Sequence, residues 1–325
     1  MKNTIFFVLC VALSTTALAN EPKNDLESMH LKGKVKSVIV TKYSVVDKFG
    51  TLLKSQNSEE SFQFNKSGNE EKYSHSNNGH LVAFHGSSFD QNGNKIETLY
   101  FNYAKQFEKK EAMVWDNNKL VEKTTYDNLG DIADKLIIKR DYQGNDTADY
   151  QYDSKGKMIA HYQHIYENGN LSYSISVDDK GSTFLFEELA YNGQGKIAKK
   201  TETIGRYTKV TSFDEAGNDI EETFMNGQHS VEYDFRYKYD DQNNIIELKV
   251  LREAGNKEVE ITNISDDDFA NDGYKDMAYR NRSESYTCKY EYDETGNIIR
   301  KVKYKLKFGE QSPEELTEYK IVYYP

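Results

Sequence analysis

The chain has 325 residues, with 42 Lys and Arg against 53 Asp and Glu, and a formal net charge of −11. An acidic surface repels phosphate backbones, so nucleic acid is not an expected partner. Only 37% of residues are hydrophobic and the mean hydropathy is −0.83, yet tyrosine alone contributes 25 residues, so each element is expected to bury one face and wet the other.

Residues 1–19 read as a signal peptide: Lys2 gives the positive start, Ile5 to Leu13 the apolar stretch, and Ala17-Leu18-Ala19 the small-x-small cleavage pattern. The apolar run is too short to span a bilayer, so export to the periplasm or beyond the cell is expected, with no membrane span in the mature chain. Residues 20–30 form a polar tail, and 31–325 a single repeat domain. Cys288 is the one cysteine left after cleavage, so no intramolecular disulfide is expected.

From residue 60 onward a short motif recurs: an aromatic residue leads into a polar turn that carries Gly. The clearest copies are Phe64-Asn-Lys-Ser-Gly68-Asn, Phe89-Asp-Gln-Asn-Gly93-Asn, Tyr126-Asp-Asn-Leu-Gly130-Asp, Tyr152-Asp-Ser-Lys-Gly156-Lys, Phe213-Asp-Glu-Ala-Gly217-Asn and Tyr292-Asp-Glu-Thr-Gly296-Asn. Weaker copies start at Tyr142, Val177, Tyr191 and Tyr239. Many successive copies lie about 25 residues apart, the mark of a repeat architecture. In each turn the Asp carboxylate can bond the backbone ahead while Gly takes the left-handed conformation. Half a period later come Asn78-Gly79, Asn168-Gly169 and Asn226-Gly227, the sequence preference of two-residue type I′ hairpins.

Between turns the pattern has period two. Val231, Tyr233, Phe235, Tyr237 and Tyr239 alternate with charged residues, as do Val302, Tyr304, Leu306 and Phe308 with Lys301, Lys303, Lys305 and Lys307. Tyr286, Cys288, Tyr290 and Tyr292 fall in the same rhythm. The expected fold is all-β: an antiparallel up-and-down repeat of β-hairpins, on the order of 20 strands of about nine residues, forming a large coiled sheet, a trough or a partly open barrel. Its tyrosine-rich face is expected inward and its lysine-rich face outward, with the strand at 301–307 and the segment 314–324 blunting an edge. An aliphatic residue after many turns (Ile96, Ile132, Met158, Ile197, Ile220, Ile245, Ile298) is expected beside the aromatic that opens the turn.

The motif resembles the YD-repeat (RHS-repeat) family of secreted bacterial proteins, over most of residues 60–300. The resemblance implies a spiralling antiparallel sheet of the kind that builds hollow shells. It transfers no functional residues, because the matching positions are turn residues. The chain also lacks a counterpart of the family's Pro-rich, aspartate-bearing, self-cleaving terminus.

Few residues point to chemistry. His75, His80 and His85, and the pair His161 and His164, are separated by odd numbers, which on a strand puts neighbours on opposite faces. They read as ordinary surface histidines. An irregular acidic insertion near 264–284 holds Asp266, Asp268 and Asp272, weak candidates for calcium because Ala270 interrupts the ligand spacing. Cys288 falls on the apolar face, where a thiol is quiet. There is no Gly-x-Ser-x-Gly elbow and no phosphate-cradling loop. Trp115 is the candidate for partner or ligand contact. These readings point to a non-catalytic extracytoplasmic binding or scaffold protein that takes a protein or glycan through a sheet surface, without a cofactor. A hydrolase of envelope polysaccharide and an outer-membrane β-barrel are the alternatives.

Overall fold

The computed structural model describes residues 24–226, 231–254, 257–260, 285–307 and 310–325. The signal segment, the acidic insertion and part of the Asn226-Gly227 turn lie outside them. The polar tail contains a short helix, α1 (Asp25–Ser28), capped by Asn24. The strands that follow are β1 (Val35–Lys48), β2 (Thr51–Phe64), β3 (Glu70–Asn77), β4 (His80–Phe89), β5 (Lys95–Asn102), β6 (Phe107–Asp116), β7 (Lys119–Tyr126), β8 (Ile132–Arg140), β9 (Asp146–Asp153) and β10 (Met158–Glu167). Next come β11 (Asn170–Asp178), β12 (Thr183–Tyr191), β13 (Ile197–Ile204), β14 (Tyr207–Phe213), β15 (Asp219–Met225), β16 (Val231–Tyr239), β17 (Ile245–Ala254), β18 (Lys257–Glu260), β19 (Tyr286–Tyr292), β20 (Ile298–Lys307) and β21 (Glu310–Tyr323).

Each strand pairs antiparallel with the next, β17 passes to β19 with β18 as a side branch, and β21 returns to β1. The sheet therefore closes into a barrel of 20 strands. A trough or partly open sheet is thus replaced by a sealed ring. The terminal segment blunts no edge, because β21 is hydrogen-bonded to β20 on one side and to β1 on the other. Strands about 4.8 Å apart give such a ring a perimeter of roughly 95 Å, or about 30 Å across if circular.

Two local devices make the ring. One is the Asx turn. The first residue of each, Asn65, Asp90, Asn102, Asp127, Asp141, Asp153, Asp178, Asn192, Asp214, Asp240 or Asp293, accepts at its side-chain oxygen from the backbone N–H groups two and four residues on. The six glycines singled out from the sequence, Gly68, Gly93, Gly130, Gly156, Gly217 and Gly296, all have φ between 75° and 92°. Asn78-Gly79 and Asn168-Gly169 have positive φ at both positions, as type I′ requires.

The other device is the β-bulge. Every neighbouring pair except β13–β14, β17–β18 and β17–β19 carries one register shift. It usually sits one residue past the turn: Tyr152 faces Met158, then Gln151 faces Ala160, and Ile159 is left over. A bulge adds twist and bends its strand. Repeated at almost every strand entry, it curls the sheet until its ends meet. The aromatic–aliphatic pairs form directly at Tyr126–Ile132, Tyr152–Met158, Tyr191–Ile197, Tyr239–Ile245 and Tyr292–Ile298. At Phe89 and Phe213 the partner is Lys95 or Asp219, and Ile96 and Ile220 become exposed bulge residues.

Closure crowds the side chains that point inward and splays those that point outward. The crowded face, followed through the register, runs Val38, Phe62, Tyr73, His85, Tyr100 and onward to Phe224, Phe235, Leu248 and Cys288. It holds the main buried cluster, Phe224, Tyr233, Phe235, Tyr237, Leu248 and Val250. A second cluster packs Leu26 of α1 on Val35, Val38, Val40 and Phe64, so the N-terminal segment leans on this inner face.

The inner face is not uniformly apolar. Tyr286, Cys288 and Tyr290 pair with Lys305, Lys303 and Lys301, so the lysine side of β20 shares a face with the tyrosine side of β19. The expected outward lysine stripe therefore points inward, and Val302 and Tyr304 point outward, where Val302 packs with Val45 and Leu316.

Candidate functional site: the polar lining of the barrel

The inner wall interleaves aromatic rings with ion pairs. Phe62, Tyr73, His85 and Tyr100 stand in one row across β2–β5, their ring centroids 5.1, 5.0 and 5.2 Å apart, and Lys109 follows 4.2 Å above the Tyr100 ring. A carboxylate serves each polar ring: Tyr73 donates to Glu60 (2.9 Å), His85 meets Glu70 (2.7 Å), and Tyr100 donates to Glu111 (3.0 Å). Burial pushes the Glu111 carboxyl up, but Lys123 and Lys109, both about 3 Å away, outweigh it and hold it below its ordinary value.

Across β12–β16 the wall carries an ion-pair ladder. Glu187, Lys200, Glu202, Lys209 and Glu222 are linked in turn at 3.4, 3.1, 2.9 and 3.6 Å. Tyr237 donates to Glu222 at 2.5 Å, and Glu222 is only 2% exposed. Burial alone would raise the Glu202 carboxyl; Lys209 and Lys200 overcome it. Charges so enclosed persist only when each has a partner.

His164 lies buried on β10, with Nδ1 2.9 Å from Ser174 Oγ and Nε2 3.4 Å from Asp149. It is not a surface histidine. Spacing across Asn168-Gly169 suggests His164 opposite Tyr173; the bulge at Ser172 moves the partner to Ser174 and turns it inward. His75 and His161 also hold a buried ring nitrogen without a hydrogen-bond partner. No signal in the sequence marks that bulge.

Trp115 has a framework contact. Its indole Nε1 donates to Lys95 O at 2.7 Å, and Arg140, Tyr191 and Tyr239 donate to Leu120 O, Leu171 O and Asp219 O in the same way, each across 20 residues. Trp115 thus occupies a repeated anchoring position and is half-buried. Asp266, Asp268 and Asp272 lie outside the described residues, and among the described residues no group of three or more His, Cys, Asp and Glu could hold a metal. Cys288 is buried, and burial pushes its thiol up despite nearby Lys301 and Lys303.

The outer face is charged as well. Lys110–Glu97, Lys135–Glu122, Arg236–Glu221, Lys238–Glu247 and Arg300–Glu291 all pair on it, within strands.

No protein-family model matches the chain, and no curated protein matches it. Among solved structures, the chain is similar to a porin-like protein from Bacteroides uniformis, at 10% identity over 90% of this chain and 99% of that one, with a TM-score of 0.35. It is also similar to a DUF1329 family protein from Desulfovibrio piger, at 8% identity over 67% of this chain and 79% of that one, with a TM-score of 0.15. Superpositions this loose carry no argument about the present barrel.

Proposed function

We propose that the barrel is a water-immersed extracytoplasmic module that recognises a protein or a glycan, and that its closed wall is a rigid scaffold for that contact. The supporting observation is charge on both faces of the wall, reaching mid-strand on the outer one at Lys135–Glu122. A barrel spanning lipid needs one continuous apolar belt, and each Lys or Arg turned to the middle of a bilayer costs about 2–4 kcal/mol. Here the outward positions of β5–β8, β15–β17 and β19–β20 carry paired lysines, arginines and glutamates. The YD-like repeats fit such a role, since they specify turns and leave strand residues free to vary.

The second reading is an outer-membrane barrel. Closure with an even number of antiparallel strands favours it. Cell fractionation separates the two. Recovery of the full chain in the osmotic-shock fluid, with none left in membranes after an alkaline carbonate wash, supports the water-immersed module. Retention in the washed membrane and release only by detergent supports the membrane barrel.

A further inference from the structure

The barrel closes by backbone pairing, yet the pairing does not cover the whole of β2. β1 and β2 have 14 residues each, longer than most of the strands that follow them. β2 pairs with β3 only from Ser58 to Phe64, and β1 pairs with β21 only from Val35 to Ser44. The β1–β2 hairpin therefore overhangs the rim, and no described strand lies beside residues 51–57 on its β2 side. Thr51 and residues 53–57 are exposed, and Leu52 is half-buried. At ~3.3 Å per residue this open edge is about 23 Å long.

The turn fixes which backbone groups are left over. Phe49 and Gly50 have φ of 55° and 82°, the paired positive values of a type I′ turn. Lys48 and Thr51 flank it and exchange both hydrogen bonds, and at the next alternate position so do Val46 and Leu53. The N–H and C=O groups of Leu52 and Lys54 point the other way, to the open side. A lysine on an edge strand usually shields it. Here the Lys54 ammonium is drawn back over its own barrel, 2.8 Å from Glu318 and 4.4 Å from the Tyr43 ring centroid. The face that continues the inner wall carries Val46 opposite Leu53, 59% and 48% exposed. An uncovered apolar edge of this kind is a template for another strand.

The edge is complementary to itself. Set antiparallel about a two-fold axis at Leu53, Leu52 of each copy lies opposite Lys54 of the other, and the two residues exchange both backbone hydrogen bonds. Leu53 then meets Leu53, and the Val46–Leu53 contact becomes one apolar run across both hairpins. An axis at Lys54 would instead set two lysine side chains opposite each other, which is destabilising. With the axis at Leu53 the second copy's Phe49–Gly50 tip reaches the level of residues 56–57, where Asn57 O accepts from Asn78 N and the open edge ends. We propose that the β1–β2 overhang is a homodimer seam, through which two barrels pointing in opposite directions share one continuous sheet. The seam is separate from the recognition role and independent of what the barrel binds.

Sedimentation equilibrium of the full chain should show the mass rising from monomer towards dimer with concentration. Leu52→Pro removes an outward N–H that the hairpin itself does not use, and should weaken the dimer roughly tenfold or more. Leu52→Ala keeps that N–H and should stay within about twofold. A site-specific cross-link reads the register without relying on the proline. Opposed residues of a non-hydrogen-bonded antiparallel pair have Cα atoms about 4.5 Å apart, within disulfide reach, whereas Leu52 and its symmetry mate would be about 7–8 Å apart. In a Cys10→Ser background, where the remaining thiol, Cys288, is buried, Leu53→Cys should give a disulfide-linked dimer in oxidised glutathione and Leu52→Cys should not. A chain that stays monomeric at every concentration reached overturns the seam, whatever else binds the edge. So does equal linking of the two cysteine variants, or a Leu52→Pro chain that dimerises as well as the wild type.

Discussion

Asp240 shows what a single turn residue contributes. Its carboxylate accepts from the backbone N–H groups of Gln242 and Asn244, both at 2.9 Å, and from the Tyr292 hydroxyl at 2.6 Å. Asp240→Ala leaves those donors short of an acceptor and should cost about 1–3 kcal/mol in urea unfolding. Asn65, Asn102 and Asn192 hold the same position in other turns, so Asp240→Asn should keep most of that stability. The two variants should differ in acid. Burial would raise the Asp240 carboxyl, but the Tyr292 hydroxyl and the turn N–H groups hold it below its ordinary value; hydrogen bonds from their turns likewise depress Asp90, Asp141 and Asp214, and the Tyr323 hydroxyl with its turn N–H groups depresses Asp293. A depressed folded value means the contribution is complete above the unfolded carboxyl range, near ~3.9, and fades as pH falls through the folded value. Wild-type stability should therefore drop steeply below about pH 4, and Asp240→Asn should make that slope shallower. An unchanged slope would show that the turn carboxylates do not drive acid unfolding. Tyr237→Phe tests the inner wall at the same scale. It removes the 2.5 Å donor to the buried Glu222, whose carboxylate also lies 3.6 Å from Lys209. A loss of about 1–3 kcal/mol is expected, against near neutrality if the ring alone matters.

At the scale of the strand and its turn, the glycines separate backbone strain from packing. Gly169 and Gly68 both have positive φ, 82° and 87°. A Cβ on Gly169 would meet nothing within 4 Å, whereas one on Gly68 would strike the Asn24 side chain at 2.8 Å. Gly169→Ala should thus cost only the left-handed penalty, about 1–2 kcal/mol. Gly68→Ala adds the clash with the residue that caps α1 and donates to Ser67 O. Faster amide exchange at Leu26, whose N–H donates to Gly68 O, should accompany Gly68→Ala and not Gly169→Ala. Equal effects would mean that α1 is not held by this turn. This scale also marks the limit of what the sequence discloses. Turns are legible because Asp, Asn and Gly each have a local reason to be there. Bulges are not: Ile159, Ser172 and Ile299 look like any other strand residue, yet each reverses the facing of everything beyond it. That is why the period-two rhythm of β16 identifies its buried face correctly while the same rhythm on β20 does not. Tyr233, Phe235 and Tyr237 are inside, and so are Lys301 and Lys303.

For the whole molecule the decisive contact is the least local one. β1 and β21 pair from Val35–Tyr323 to Ser44–Glu315, joining residues at opposite ends of the described chain. The seam is reinforced beside the strands: Tyr324 donates to Phe64 O at 2.6 Å, the Tyr323 hydroxyl donates to Asp293, and Asn297 clasps Lys32 through both its amide oxygen and its amide nitrogen. Neighbouring turns are laced at the same end, as by Asn69 to Gly93 O and Asn218 to Asn243. Pairing so distant in sequence is entropically costly to reach and is expected late in folding. Without it, β1 and β20 become long edges with unpaired backbone groups, and such edges recruit other strands. A chain ending at Gln311 lacks most of β21, so it should keep the local hairpins, and with them most of its β-sheet circular dichroism. It should also form oligomers or aggregates detectable by light scattering at concentrations where the full chain does not. A truncated chain that stays monomeric and fully soluble would mean that the hairpin repeats sustain themselves as an open sheet and that closure adds little. The variant Tyr323→Phe, which loses the hydroxyl shared with Asp293 and Asn297 but keeps the strand, should fall between the two, with an intact ring that opens at lower denaturant.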